Sequence, residues 1–159
     1  MQKTSKKRAG KKRKTSPRSH ARHRALQALY QWQIAKHSLV DIEEQFLAAD
    51  DENEVDIAQV DVLYFRRLLY EVAEQVKTLD KQLEPLLDRP LRRLDPIEHT
   101  ILRMGLYELN YCPEVPWRVV INESVELAHR FGADKSHKFI NGILDRASVN
   151  RPDRQKQAK

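Results

Sequence analysis

The chain has 159 residues, of which 40% are hydrophobic and only four are glycine. This length suits one compact domain, and no window approaches the roughly 18 consecutive apolar residues that a membrane-spanning helix needs. The single cysteine excludes an internal disulfide and is typical of a reducing compartment. These features predict a cytoplasmic protein with no membrane association.

The positive charge is concentrated at one end of the chain. Eleven of the 29 Lys and Arg residues, and no acidic residue, lie within residues 1–24. The rest of the chain then holds 18 cations against 23 acids and is net acidic. A basic block of this kind usually contacts a polyanion, most often nucleic acid. The alternative is a solvated tail that only improves solubility.

The first predicted elements are a disordered basic arm at residues 1–17 and a helix at residues 18–36. The arm is poor in apolar side chains and ends in a Ser-Pro pair. Within the helix, Ala25, Leu29 and Trp32 recur at spacings of four and three residues, which gives one apolar face. Arginines occupy the first two turns, so the arm and the helix start form one continuous basic element.

A second helix is predicted after Ser38, because Ser38 and Asp41 resemble a capping box. Residues 41–61 contain nine acids and no Lys or Arg, so that surface would repel a phosphate backbone. An apolar-periodic segment follows over residues 57–87 and is long enough to bend or divide near Thr78.

Proline and glycine divide the second half of the chain. Arg89-Pro90 interrupts the helical pattern, and Asp95-Pro96 begins a helix because Asp caps free amides and Pro fits the first helical position. Another helix begins at Pro116, and Gly132 is expected in the left-handed conformation that ends many helices. A last helix precedes a polar tail at residues 150–159. The pattern predicts an all-α bundle of about seven helices in two groups.

The sequence lacks the residue constellations that enzymes need. It contains no HExxH, no P-loop, no dinucleotide-binding glycine pattern and no spaced Cys/His cluster that would hold zinc. His99, His129 and His137 are scattered singly on predicted helices, where a lone histidine is usually a surface or capping residue. We therefore expect no catalytic residue, no metal and no cofactor.

Four segments of the chain carry a more specific pattern. They read RHRALQALYQWQ at residues 22–33, VDVLYFRRLL at 60–69, IEHTILRMGLYEL at 97–109 and VVINESVELAHRFGADKSHKFINGILD at 119–145. In this order and spacing they resemble the NusB family of bacterial transcription antitermination proteins, over about residues 20–148. The resemblance implies a non-enzymatic helical domain at residues 18–149, with two three-helix-type subdomains at about 18–90 and 91–149.

The resemblance also implies partners. Members of the family bind boxA, a single-stranded RNA element of ribosomal RNA leaders, as a heterodimer with the small-subunit ribosomal protein NusE. The pair acts within the RNA polymerase antitermination complex and is implicated in ribosomal RNA maturation. For this chain, the family therefore implies single-stranded RNA, NusE and the antitermination complex as partners.

The family's arginine-rich start of the first helix matches Arg18 and Arg22, which the resemblance makes candidates for RNA binding. Tyr30 lies two turns beyond Arg22 and is expected to stack on a base or to hydrogen-bond it. Gln27, one turn before Tyr30, is placed to recognise a base edge. The alternatives are a half-buried core tyrosine and a solvent-facing glutamine.

A second set of RNA-binding candidates matches the family's S-H-K-F segment at the start of the last helix. Ser136, Lys138 and Phe139 belong to it: Lys138 can meet a phosphate, and Phe139 either stacks on a base or packs in the core. Lys135 stands where the family often has an acid. Together with the basic arm, it is expected to strengthen phosphate attraction and to relax sequence discrimination.

For NusE, the resemblance implies a surface near the junction of the two subdomains, with Leu91, Leu94 and Glu98 as candidates. The two leucines are equally plausible as core residues. Two other functions remain open. The helices around Gly132 also fit a helix-turn-helix that binds DNA, and a pure assembly scaffold would need no RNA at all.

Overall fold

A computed structural model of the protein describes residues 16–48 and 59–157. These ranges form eight α-helices and no strand, which confirms the predicted all-α fold. The helices are α1 (Pro17–Ala35), α2 (Leu39–Ala48), α3 (Val62–Glu74), α4 (Val76–Leu83), α5 (Pro96–Tyr111), α6 (Trp117–Phe131), α7 (Ser136–Ala147) and α8 (Pro152–Gln157). Two 3-10 turns, Glu84–Leu86 and Leu91–Arg93, lie between α4 and α5. Residues 1–15 of the predicted arm lie outside the described ranges.

Helix α5 joins the two halves of the bundle. On one side α1 packs against α2, α3 and α5, and on the other side α6 and α7 pack against each other and against α5. Fully buried side chains such as Phe65 on α3 and Tyr107 on α5 form a core that both halves share. The division into subdomains near residue 90 stays a prediction. None of the helices in the described ranges has the length and apolar character that crossing a membrane requires.

Short polar side chains begin several helices, as the sequence predicted. The Ser38 hydroxyl accepts a hydrogen bond from the Asp41 amide at 3.2 Å ahead of α2. The Asp95 carboxylate accepts from the Ile97 amide at 2.9 Å at the start of α5. The long apolar segment divides at Gln75, between α3 and α4, three residues before the predicted Thr78. The two capping contacts satisfy amide groups that the first turn of a helix leaves free.

Gly132 is not left-handed, so the reason given for this glycine from the sequence was wrong. Its φ is −84°, and the left-handed residue of the corner between α6 and α7 is Lys135, with φ 68°. A glycine is needed at position 132 because of space. A Cβ atom there would lie 2.7 Å from the Ala128 carbonyl oxygen and 3.0 Å from the Ser136 Cβ.

The segment at residues 150–159, described from the sequence as a polar tail, contains the unpredicted helix α8. Arg151 is 8% exposed and donates hydrogen bonds to three carbonyl oxygens of the loop at residues 112–115, at 2.9, 3.2 and 3.3 Å. The Asp153 carboxylate accepts from the Trp117 amide at 2.9 Å and so caps α6. These contacts attach α8 to the loop between α5 and α6.

Candidate RNA-binding surface

Arg18 and Arg22 lie one turn apart on α1 but in different environments. The Arg18 side chain is 43% exposed, and its guanidinium carbon lies 4.4 Å from the centre of the Tyr64 ring. Its Nε is 3.7 Å from the Asp61 carboxylate. Arg18 therefore rests on the α3 side of α1 and keeps part of its charge in solvent.

Arg22 is a core residue, which contradicts the expectation that it contacts RNA. Only 4% of it is exposed, and its Nε and Nη2 donate to the two carboxylate oxygens of Glu108 at 2.7 and 3.1 Å. Burial alone would lower the pKa of Arg22, but the hydrogen bond and the charge of Glu108 raise it overall. A phosphate would reach Arg22 only by breaking this buried pair, which leaves an uncompensated charge.

Gln27 and Tyr30 line a groove along α1. The groove has a volume of about 500 Å³, and we call it the α1 groove. Its other lining side chains are mostly apolar and include Leu26, Ile34 and Phe46. Tyr30 and Gln27 are both partly buried. Gln31 is the third polar side chain of the lining. A groove with an apolar wall and a few polar side chains suits a flat ring with hydrogen-bonding edges.

The start of α7 presents two cations. Lys135 and Lys138 are exposed, and their side chains have no hydrogen bond or ion pair with the chain that the structure describes. Beside them, the imidazole rings of His129 and His137 stack with their centres 4.1 Å apart, which joins the end of α6 to α7. The left-handed backbone of Lys135 turns the chain between these helices. Both lysines are therefore available to an anionic ligand.

Ser136, in contrast, is buried, which contradicts the prediction that its side chain contacts RNA. It is 2% exposed, and its hydroxyl donates to the Glu98 carboxylate at 2.5 Å. The side chain therefore ties α7 to α5. This hydrogen bond explains why the S-H-K-F segment contains a serine. The contact between Ser136 and Glu98 fixes the position of the neighbouring lysines.

Phe139 is half-buried, and Arg89 covers one face of its ring. The Arg89 guanidinium carbon lies 4.5 Å from the ring centre, within the range of a cation–π contact. Arg89 precedes the second 3-10 turn and was absent from the candidates drawn from the sequence. The only signal available there was its place in a short arginine-rich stretch, residues 89–93.

The three NusE candidates differ in accessibility. Leu94 is 7% exposed and belongs to the core, so it does not present a contact surface. Leu91 is partly exposed. Glu98 is also partly exposed, but its carboxylate already accepts the Ser136 hydrogen bond. Leu91 and Glu98 thus remain candidates for NusE binding. Leu94 is instead a core residue, which was the other possibility for it.

The α1 groove and the start of α7 are neighbours in the fold. Ile97 and Phe131 both line the groove. Ile97 directly precedes Glu98, which holds Ser136. Phe131 ends α6 beside the corner that leads into α7. The structure therefore brings most candidates from both ends of the sequence onto adjacent surfaces, whereas the contacts of Arg18 lie on the α3 side of α1.

Solved structures define the class of this fold. The NusB structure from T. maritima aligns with a TM-score of 0.74 and 30% identity, over 91% of this chain and 99% of that one. A complex of the antitermination factors NusB and NusE with double-stranded RNA aligns with a TM-score of 0.70 and 24% identity, over 83% and 96% of the two chains. The second similarity is one of fold alone. Both solved chains share the all-helical fold of this chain.

Sequence comparison gives the family. The NusB family model matches residues 19–148. The transcription antitermination protein NusB of Idiomarina loihiensis is 50% identical over 143 residues, 89% of this chain and 99% of that protein. The NusB protein of Halorhodospira halophila is 56% identical over 129 residues, 81% and 79% of the two chains. The chain belongs to the NusB family. This family consists of transcription antitermination factors, and membership confirms that the chain is not an enzyme.

Proposed function

We propose that the chain binds boxA-type single-stranded RNA in ribosomal RNA leaders together with NusE, and so supports transcription and maturation of ribosomal RNA. The observation that carries the proposal is the adjacency of the α1 groove to the exposed Lys135 and Lys138. Single-stranded RNA is held by basic groups along its backbone and by aromatic rings under splayed bases. This surface offers both within one region.

In this arrangement the α1 groove accepts a base. Tyr30 provides the ring for stacking, and Gln27 donates to or accepts from the base edge. Lys135 and Lys138 neutralise phosphates, and the exposed part of Phe139 provides a second apolar surface. Arg18, on the other side of α1, is a candidate for the backbone of a longer RNA.

The proposed protein partner is NusE, because a NusB of the same fold has been solved in complex with NusE and RNA. Leu91 and Glu98 are the candidate contacts on this chain. The pair would join the RNA polymerase antitermination complex in the cytoplasm. A scaffold that binds NusE without RNA is the alternative, and RNA binding measured with and without NusE separates the two.

The test is binding of a short labelled boxA RNA against a scrambled RNA at physiological salt, with and without NusE. We expect NusE to tighten binding and the scrambled RNA to bind about 1–3 kcal/mol more weakly, the usual cost of removing a base contact or stack. Tyr30→Ala should reduce the preference for boxA, whereas Tyr111→Ala, an exposed tyrosine outside the groove, should not. Equal binding of both RNAs with no effect of NusE would overturn the proposal.

Duplex DNA is a useful competitor in the same assay. A helix-turn-helix inserts the first turn of its second helix into the major groove. Here that turn belongs to α7, and Ser136 within it is buried against Glu98 of α5. We therefore expect duplex DNA to compete poorly with boxA RNA.

A further inference from the structure

The segment between α4 and α5 is fixed at two points to the first turns of α7. Arg89 lies over the Phe139 ring at 4.5 Å, and Glu98 accepts the Ser136 hydroxyl at 2.5 Å. The short stretch between these contacts therefore lies beside the start of α7. It contains the second 3-10 turn, Leu91–Arg93.

This turn exposes two arginines that form no ion pair within the part of the chain that the structure describes. Arg92 and Arg93 are exposed, and their side chains have no hydrogen bond or ion pair to the described part of the chain. The nearby acids are already engaged: Asp88 accepts from Arg89 at 2.9 Å, and Asp95 caps α5 at 2.9 Å. Both guanidinium groups are thus available to an anionic ligand.

The position of Arg92 and Arg93 matters because two further exposed cations lie at the start of α7. Neither of these has a side-chain partner in the described ranges. Lys135 and Lys138 flank Ser136 in sequence, and Ser136 is the residue through which α7 contacts Glu98. The contacts of Arg89 with Phe139 and of Glu98 with Ser136 therefore bring the arginine turn near the start of α7. Exposed cations that lie near one another can neutralise successive phosphates of one RNA backbone.

We propose that Arg92 and Arg93 bind RNA phosphates, so that the RNA backbone passes from the start of α7 across the 3-10 turn. The inference rests on the proposed RNA binding and extends it to two residues outside both the α1 groove and α7. A guanidinium donates two parallel hydrogen bonds to one phosphate, and the anchored turn reduces the entropy cost of binding. The partner chemistry is a polyanionic backbone, independent of base sequence.

The experiment measures boxA binding by the full chain between 50 and 200 mM salt. We compare Arg92→Ser/Arg93→Ser with Lys77→Ser/Lys81→Ser, a control that removes two exposed cations of α4. Removal of two phosphate-binding groups should lower the log–log salt slope by about 1.4. The loss of RNA affinity in the arginine variant, relative to the unmodified chain, should therefore be about sevenfold smaller at the high end of this salt range than at the low end. The control should match the unmodified chain, and Arg92→Lys/Arg93→Lys should recover most of the slope.

The outcomes separate this inference from the proposed function. If the unmodified chain shows no preference for boxA, the proposed function fails first. If boxA binds but the arginine variant and the control behave alike, only the phosphate role of the turn is overturned. A normal salt slope with weakened NusE binding would assign the turn to the protein partner and equally overturn the inference.

Discussion

Arg22 and Glu108 form a pair of opposite charges that is almost closed to solvent. Both residues are under 5% exposed, and two hydrogen bonds join them. A buried pair contributes little when it is compared with apolar residues of the same volume, but removal of one partner leaves a charge that nothing neutralises. We therefore expect the pair to contribute to the specificity of the contact between α1 and α5 more than to its strength.

We expect Arg22→Met to lower the free energy of unfolding by about 3–5 kcal/mol, because Glu108 would remain buried without its partner. The measurement is urea denaturation followed by circular dichroism. Arg18→Met is the matched control, since the half-exposed Arg18 should change stability by less than about 1 kcal/mol. The double variant Arg22→Met/Glu108→Leu should recover most of the stability. If it unfolds as readily as the single variant, the charge pair is not the cause.

Asp80 gives the fold a dependence on pH in the acidic range. Its carboxylate accepts hydrogen bonds from Arg103 at 2.7 and 2.9 Å and pairs with His99 at 2.7 Å. Burial alone would raise the pKa of Asp80, but Arg103 and then His99 lower it from 3.8 to about 2. Because the folded state holds the charged form more tightly than the unfolded state does, this stabilisation is present above pH 4 and is lost as the pH falls toward 2.

The pH dependence can be isolated with Asp80→Asn. The difference in unfolding free energy between the unmodified chain and this variant should fall by about 1 kcal/mol from pH 5 to pH 3, a range below ordinary histidine titration. Urea titrations at both pH values provide the measurement. Asp88→Asn is the comparison, because Asp88 is exposed and its ion pair in the described part of the chain is with exposed Arg89. A constant difference for Asp80→Asn would refute the assignment.

At the scale of elements, two glycines in helices have opposite surroundings. A Cβ at Gly105 on α5 would lie 2.7 Å from the Leu144 Cδ1 and 3.0 Å from the Ser124 Oγ. Helices α5, α6 and α7 thus approach each other closely at this residue. Gly142, on the exposed side of α7, has nothing within 4 Å of its Cβ position.

Alanine substitutions should therefore have opposite signs at these two positions. Gly105→Ala should destabilise the fold by about 1–3 kcal/mol, because overpacking outweighs the gain in helix propensity. Gly142→Ala should stabilise it by up to about 1 kcal/mol, since only the propensity changes. Thermal unfolding measures both. An increase in the melting temperature of Gly105→Ala would show that Leu144 moves aside without cost.

The sequence predicts the helices better than it predicts which faces of them are buried. Capping residues such as Asp95 act locally, so their role can be inferred from neighbouring residues alone. Arg22 and Arg18 lie in the same basic stretch, and only the partner Glu108, 86 residues away, decides that Arg22 is buried. The same limit applies to Ser136 and Glu98, which belong to different helices. Contacts between distant segments leave no periodic signal in a single sequence.

At the scale of the whole molecule, the basic arm and the folded surface should contribute to RNA binding in different ways. Residues 1–15 contain eight Lys or Arg residues. We expect their deletion to flatten the salt dependence of RNA affinity, by about 0.7 in the log–log slope for each phosphate that the arm neutralises. The preference for boxA over a scrambled RNA should persist or increase.

This deletion should leave the fold intact. It retains Ser16, whose hydroxyl accepts from the Ser19 amide at 3.1 Å and caps α1. Thermal unfolding of the deleted chain is the control and should be unchanged. An unaltered salt slope would show that the arm does not contact RNA.

Helix α8 has a consequence for synthesis. Arg151 satisfies carbonyl groups of the loop at residues 112–115, and Asp153 caps the start of α6. On the ribosome, these groups emerge well before the residues that satisfy them. We therefore expect a nascent chain that has not yet exposed residues 151–157 to hold α5 and α6 with their connecting loop unsupported. The native arrangement of that loop should form once these residues leave the exit tunnel.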